Sequence, residues 1–180
     1  LLMTASKNAP LLISVLVAAA FVVILNETTL AVALPALMRT FNVTADTAQW
    51  LTSSFMLTMA TVIPMTGYIM QRFTLRTIYI VALSTFLIGT ILATFAPAFP
   101  ILLVARIIQA SGTALVIPLL MTTIMRLVPI ERRGSVLGYV TVVIAVAPAL
   151  GPTFSGIVLQ TLTWRWIFGL MIPLVVLVLG

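Results

Sequence analysis

No cysteine and no histidine occur among the 180 residues. The first absence excludes a disulfide framework, a thiolate nucleophile, an iron–sulfur site and thiol-ligated zinc. The second excludes a Ser-His-Asp triad, an imidazole metal site and His-ligated haem. Charge is nearly as scarce, at 7 % of residues, against roughly a quarter in an average soluble domain. Three acids and nine bases cannot coat a water-facing globule whose composition is 62 % hydrophobic. A polytopic membrane protein follows. Lys7 is the only lysine, so a phosphate-cradling Gly-Lys-Ser/Thr loop is absent. Glu27, Asp46 and Glu131 are the only acids, too few for a carboxylate metal cage. With no nucleophile–base pair and no metal set, the sequence implies neither an enzyme nor a cofactor.

What is present is apolar length. Charge-poor runs cover 11–34, 50–70, 78–96, 101–125, 135–159 and 166–180. A helix needs about 20 residues to cross the hydrocarbon layer. Five runs meet that length or come close to it, and they are too long and continuous for barrel strands. The first run is also too long for a cleaved signal peptide, and it carries Glu27 inside it. The sixth run has 15 residues, reaches about 22 Å and lacks a charged or aromatic exit anchor. Because the first residue is Leu, the expectation is a fragment cut inside its sixth span, with the C-terminal half absent. No low-complexity segment, linker or strong internal repeat is visible.

The net charge of +6 does not mark a nucleic-acid binder, because the bases sit in short gaps between apolar runs. Lys7, Arg72, Arg76, Arg126, Arg132 and Arg133 collect on one side, and Arg39 and Arg165 on the other. The first side, with the N-terminus, is therefore expected to be cytoplasmic. Trp50, Trp164 and Trp166 fall at span ends on the outer side, where an aromatic belt is expected. Pro35 is expected to close the first span, and Pro97-Ala98-Phe99-Pro100 to make a tight turn.

Two charges lie inside spans, Glu27 and Arg106. Each costs several kcal/mol to bury by the lower estimates, so such residues usually face a bundle interior or a wet cavity. Glu27 lies about 12 Å below Pro35, and Arg106 about 9 Å below Pro100. The similar depth allows both to face one central cavity, with Asn26 beside the acid and Gln109 one turn below the base. Burial disfavours a charged carboxylate and a nearby guanidinium favours it, so moving the two apart or together switches proton affinity. A structural ion pair or a snorkelling residue is the alternative. The second span carries Thr52, Ser53, Ser54, Thr58, Thr61 and Thr66, either as a cavity wall or as hydroxyls bonded to their own helix. In the fifth span Ala147, Gly151 and Ser155 recur every fourth residue, a spacing that lets helix backbones approach, while Pro152 favours a bend.

Together these segments resemble the N-terminal half of a major facilitator superfamily transporter, and more closely its fourteen-helix drug–proton antiporter branch. Leu25-Asn26-Glu27-Thr28, ending in Ala33-Leu34-Pro35, resembles the first-helix motif. Its acid stands one place later than the branch's usual Asp, as in lincomycin-type efflux proteins. Gly67, Arg72 and Arg76 match the loop between helices two and three, where Gln71 replaces the usual Asp and Thr74 the usual Gly. Arg106, Gln109 and Gly112 match the fourth-helix motif, with Ala110 in place of Gly. Gly138, Gly151, Pro152 and Gly156 match the antiporter motif of helix five, with Ala147 and Ser155 replacing glycines.

The resemblance implies an all-α bundle of six helices that exports lipophilic small molecules in exchange for protons across the cytoplasmic membrane. Its partners would be the lipid bilayer, protons, the substrate and the C-terminal half of the same transporter. Glu27, Asn26, Arg106 and Gln109 would bind proton and substrate, and helix five would limit leak. A proton-coupled uptake symporter and a non-transporting scaffold or truncated product remain the alternatives.

Overall fold

The structure is a computed structural model that describes residues 5–180, with side chains from residue 9 onward. Leu1 and the side chain of Lys7, both used above, lie outside the described residues. Every regular element among the described residues is helical: α1 (Ala5–Phe41), α2 (Ala45–Arg72), α3 (Leu75–Thr94), α4 (Phe99–Leu127), α5 (Ile130–Thr161), α6 (Arg165–Gly169) and α7 (Met171–Leu179). The first five are long and apolar enough to cross a membrane. The sixth run forms α6 and α7, which meet at Leu170. Pro173 explains the break, because it has no N–H for the carbonyl of Gly169 yet fits the first turn of α7.

Helix ends follow local chemistry. Thr44 and Thr74 cap α2 and α3, accepting from the N–H groups of Thr47 at 3.3 Å and Thr77 at 3.2 Å. Asp46 stands in the first turn of α2, where the helix dipole favours an acid. Pro100 starts α4, where its missing N–H has no partner to lose. Pro35, however, does not close α1, which runs six residues further to Phe41. Pro35 has no N–H for the carbonyl of Ala31, but the helix bonds continue beyond it, and two side chains add to them, Arg39 Nε donating to the Pro35 carbonyl at 3.4 Å and Thr40 Oγ1 to that of Ala36 at 2.9 Å. The true stop is Asn42, whose φ of 52° lets the N–H of Val43 reach the carbonyl of Met38 at 3.1 Å. Asparagine tolerates that left-handed geometry and ends helices this way.

The seams between helices depend on small residues. α3 packs most extensively on α4, α1 on α5 and α2 on α4. A Cβ at Gly112 would collide with the backbone of Ala82 and Phe86, and one at Gly89 would lie 2.7 Å from Gln109. The α3–α4 seam is therefore too close for any larger residue at either place.

At one end of the bundle, Phe41 packs on Phe99 and on Trp164, which packs on Phe168, with ring centroids 6.2, 5.4 and 6.3 Å apart. Trp164 is therefore a core residue, 5 % exposed, while Trp50 at 57 % and Trp166 at 49 % remain outside. The expected belt loses one member because the ring finds aromatic partners from α1 and α6 and the Arg165 guanidinium, 4.8 Å from its centroid. At the opposite end, the starts of α1 and α5 border the α4–α5 connection in one cleft. There Arg133 donates to the carbonyls of Val128 at 2.9 Å and Met125 at 2.7 Å, closing the C-terminus of α4.

Candidate functional site

Arg106 is the largest buried polar side chain among the described residues, 1 % exposed two turns into α4. Burying a guanidinium in a span costs several kcal/mol unless its donors and charge are answered. Three groups answer it. Its Nη1 donates to Gln109 Oε1 at 2.9 Å, one turn along the same helix. Its Cζ lies over the Phe55 ring of α2, 4.1 Å from the centroid, a contact worth about 0.5–2 kcal/mol. Glu27 on α1 is near enough to act on its charge. The two do not close an ion pair, and Arg106 Nε is left without a partner.

The network continues away from Glu27. Gln109 Nε2 donates to Thr90 Oγ1 of α3 at 2.9 Å, and Thr90 Oγ1 donates to the carbonyl of Phe86 at 2.7 Å. This route crosses the α3–α4 seam that Gly89 and Gly112 hold close. Of the fourth-helix motif, Arg106 carries the charge, Gln109 accepts from it and Gly112 sets the helix spacing.

On α1, Asn26 is fully buried and neither amide atom has a partner. Glu27 is half-buried, next to exposed Ala31 and Pro35 on the same side of the helix. The two neighbours thus look in different directions, one into the bundle and one towards its open face. One residue further, Thr28 meets α5: a Cβ at Gly151 would collide with the Thr28 side chain. Ser155 Oγ donates to the carbonyl of Thr29 at 2.9 Å. Ala147, Gly151 and Ser155 are all buried, so the four-residue repeat does form the α1–α5 seam.

Other site residues stand apart. A Cβ at Gly138 or Gly156 would meet nothing within 4 Å. Pro152 is exposed, and α5 continues through it as one helix. Gly67, Gln71, Arg72 and Arg76 are exposed at the far end of α2 and the start of α3. Of these, Arg72 lies over the Tyr68 ring at 5.3 Å. Three of the second span's six Ser and Thr hydroxyls serve their own helix: Thr58, Thr61 and Thr66 donate to the carbonyls of Ser54, Leu57 and Ile63 at 2.7, 2.9 and 2.6 Å, while the buried Ser54 Oγ has no partner. Phe55, Thr90 and Thr29 are the site's unexpected members.

The sequence profile described as Major Facilitator Superfamily matches residues 16–180. The chain belongs to the major facilitator superfamily. The uncharacterized MFS-type transporter YcnB of Bacillus subtilis (strain 168) is 48 % identical over 170 residues, 94 % of this chain and 36 % of its own length. The lincomycin resistance protein LmrB of the same organism is 44 % identical over 173 residues, 96 % of this chain and 36 % of LmrB. The putative multidrug resistance protein MdtD of Pectobacterium atrosepticum is 28 % identical over 153 residues, 85 % of this chain and 33 % of MdtD. The chain thus spans about a third of the length of these relatives. A crystal structure of a D-xylose–proton symporter superposes with a TM-score of 0.78 at 17 % identity, covering 93 % of this chain and 46 % of the symporter. That likeness shows the fold: an all-helical bundle matching one half of a major facilitator transporter. The superfamily consists of multi-pass membrane transporters, not enzymes.

Proposed function

We propose that this chain is the N-terminal six-helix bundle of a proton-coupled antiporter of the superfamily, one that exports lipophilic small molecules across the cytoplasmic membrane. The observation that carries the reading is Glu27, half-buried on α1 within the charge field of the fully buried Arg106. A carboxylate in apolar surroundings takes up a proton when the guanidinium's influence weakens and gives it up when that influence returns. Glu27 binds the incoming proton, and a substrate arriving from the cytoplasm competes with it. Arg106 sets which of the two Glu27 holds. Asn26 and Gln109 supply amide groups beside these charges, and the face of α5 at Gly151 and Ser155 seals α1 against leak. Four-residue small spacing suits that seal, because it leaves no room between the backbones.

Substrate sits near the midplane between two such bundles in this kind of transporter. The second bundle, from the C-terminal half of the same protein, is therefore a required partner, in a protein of twelve or fourteen helices. The 1–180 segment is read as one transmembrane domain, its loops at 71–77 and 126–134 and its N-terminus facing the cytoplasm, on the strength of its basic residues. The likeness to LmrB, a lincomycin resistance protein, and to MdtD, named a putative multidrug resistance protein, supports export of drug-like substrates over uptake. The test is drug-dependent proton release from vesicles, with Glu27→Gln as the variant that should abolish it.

A further inference from the structure

Arg106 has one hydrogen bond in the bundle, and its acceptor is itself held by a third residue. Gln109 has an amide with two unlike ends, and only its oxygen can accept from a guanidinium, which has donors alone. Thr90 decides which end that is. Its hydroxyl hydrogen is committed to the Phe86 carbonyl at 2.7 Å, so towards Gln109 it presents a lone pair. A lone pair calls for the amide NH2, and Gln109 Nε2 lies 2.9 Å from it. The amide oxygen is thereby turned to Arg106 Nη1, also at 2.9 Å. All four groups are buried, where an unmatched donor or acceptor costs about 1–3 kcal/mol.

We propose that Thr90 of α3 is a positioning residue for Arg106, holding the guanidinium in place through Gln109 without touching it. This rests on the reading of Glu27 and Arg106 as the proton-handling pair and adds a third helix to it. The backbone helps: a Cβ at Gly89 would lie 2.7 Å from both the side chain and the N–H nitrogen of Gln109, so α3 brings Thr90 within reach only because its neighbour is glycine. Among charged and titratable groups, Glu27 of α1 acts on Arg106. The other charged groups (Arg39, Asp46, Arg72, Arg76, Arg126, Glu131, Arg132, Arg133 and Arg165) stand in the first or last turn of their helices, and Tyr68, Tyr79 and Tyr139 lie further in. Loss of the Thr90 hydroxyl therefore changes how Arg106 sits relative to Glu27, not the charges around it.

The test uses the natural gene product in membranes and compares Thr90→Val, which keeps the shape, with Thr90→Ser, which keeps the hydroxyl. The first readout is the rate at which phenylglyoxal, an arginine reagent, modifies Arg106, located by peptide mass spectrometry. Loss of a hydrogen bond that orients a charged group predicts a rise of about tenfold in Thr90→Val. Thr90→Ser should react like wild type. Arg165, which bonds the carbonyl of Thr94 one turn along α3 at 3.0 Å, reports whether α3 has loosened and should not change. Gln109→Met, which removes the link from its other side, should reproduce the Arg106 rise with Arg165 constant. An unchanged Arg106 rate in Thr90→Val and Gln109→Met overturns the proposal. So does a Thr90→Ser rate as high as that of Thr90→Val. The second readout is the pH profile of drug–proton exchange, displaced in Thr90→Val and restored in Thr90→Ser. If labelling behaves as expected and wild type shows no exchange, Thr90 still positions Arg106 and the export reading is what fails.

Discussion

Ser155 of α5 donates its hydroxyl to the backbone carbonyl of Thr29 on α1 at 2.9 Å, one turn from the point where Gly151 faces the Thr28 side chain. The small-residue face of one helix is thereby fastened to another directly beside Asn26 and Glu27. On the proposed antiport reading, a helix held this closely passes its movement to the acid, a use of the four-residue repeat beyond packing.

Gly151→Leu forces a side chain into Thr28 and should destabilise the protein by about 1–3 kcal/mol, the range for overpacking a tight seam. Gly138→Ala, where a Cβ meets nothing within 4 Å, should leave stability unchanged apart from a small helix-propensity gain. Thermal unfolding in detergent compares the two.

Ser155→Ala removes one interhelical hydrogen bond. In a membrane bundle such bonds average about 0.6 kcal/mol, so the fold should survive. Proton leak without drug should rise, measured as the decay of an imposed pH gradient in vesicles.

Arg106→Leu separates stability from function. It leaves the Gln109 carbonyl without its donor, at about 1–3 kcal/mol, but also removes a costly buried charge, and such exchanges are often near neutral overall. Unfolding temperature should therefore stay close to wild type while drug-driven proton exchange is lost. Arg106→Lys keeps the charge but not the guanidinium that lies over Phe55 and donates to Gln109, and should recover only part of the exchange.

The absence of cysteine makes orientation directly measurable within this chain. Arg132→Cys should react with an impermeant thiol reagent only from the cytoplasmic side, and Trp50→Cys only from outside. The reverse labelling pattern would invert the orientation read from the basic loops.

The sequence showed the helices plainly, because runs of charge-free residues have one stable form in a bilayer. It also showed the two intramembrane charges and the small face of α5, since spacing alone puts Ala147, Gly151 and Ser155 on one side. It missed what depends on neighbours. Pro35 looked like a stop, but it costs only the one bond to the carbonyl of Ala31, and the helix runs on until Asn42 ends it. Trp164 looked like a belt residue until Phe41 and Phe168 were found against it. Phe55 and Thr90 carried no signal: each is one apolar or hydroxyl residue among many, and its meaning comes from which helix lies opposite. Gln71 and Arg76 were legible as a motif, yet they lie exposed at the other end of the bundle from the aromatic cluster.

The central claim is that Glu27 exchanges a proton for a drug. Inverted membrane vesicles carrying the natural gene product, energised to load protons, report it most directly through a pH-sensitive dye. Wild type should release protons when a lipophilic drug is added, with a rate that varies with pH. Glu27→Gln, which cannot titrate, should release none, and any remaining drug exchange should be independent of pH. Drug-dependent proton release of equal size in Glu27→Gln would contradict the account and place the coupling acid elsewhere.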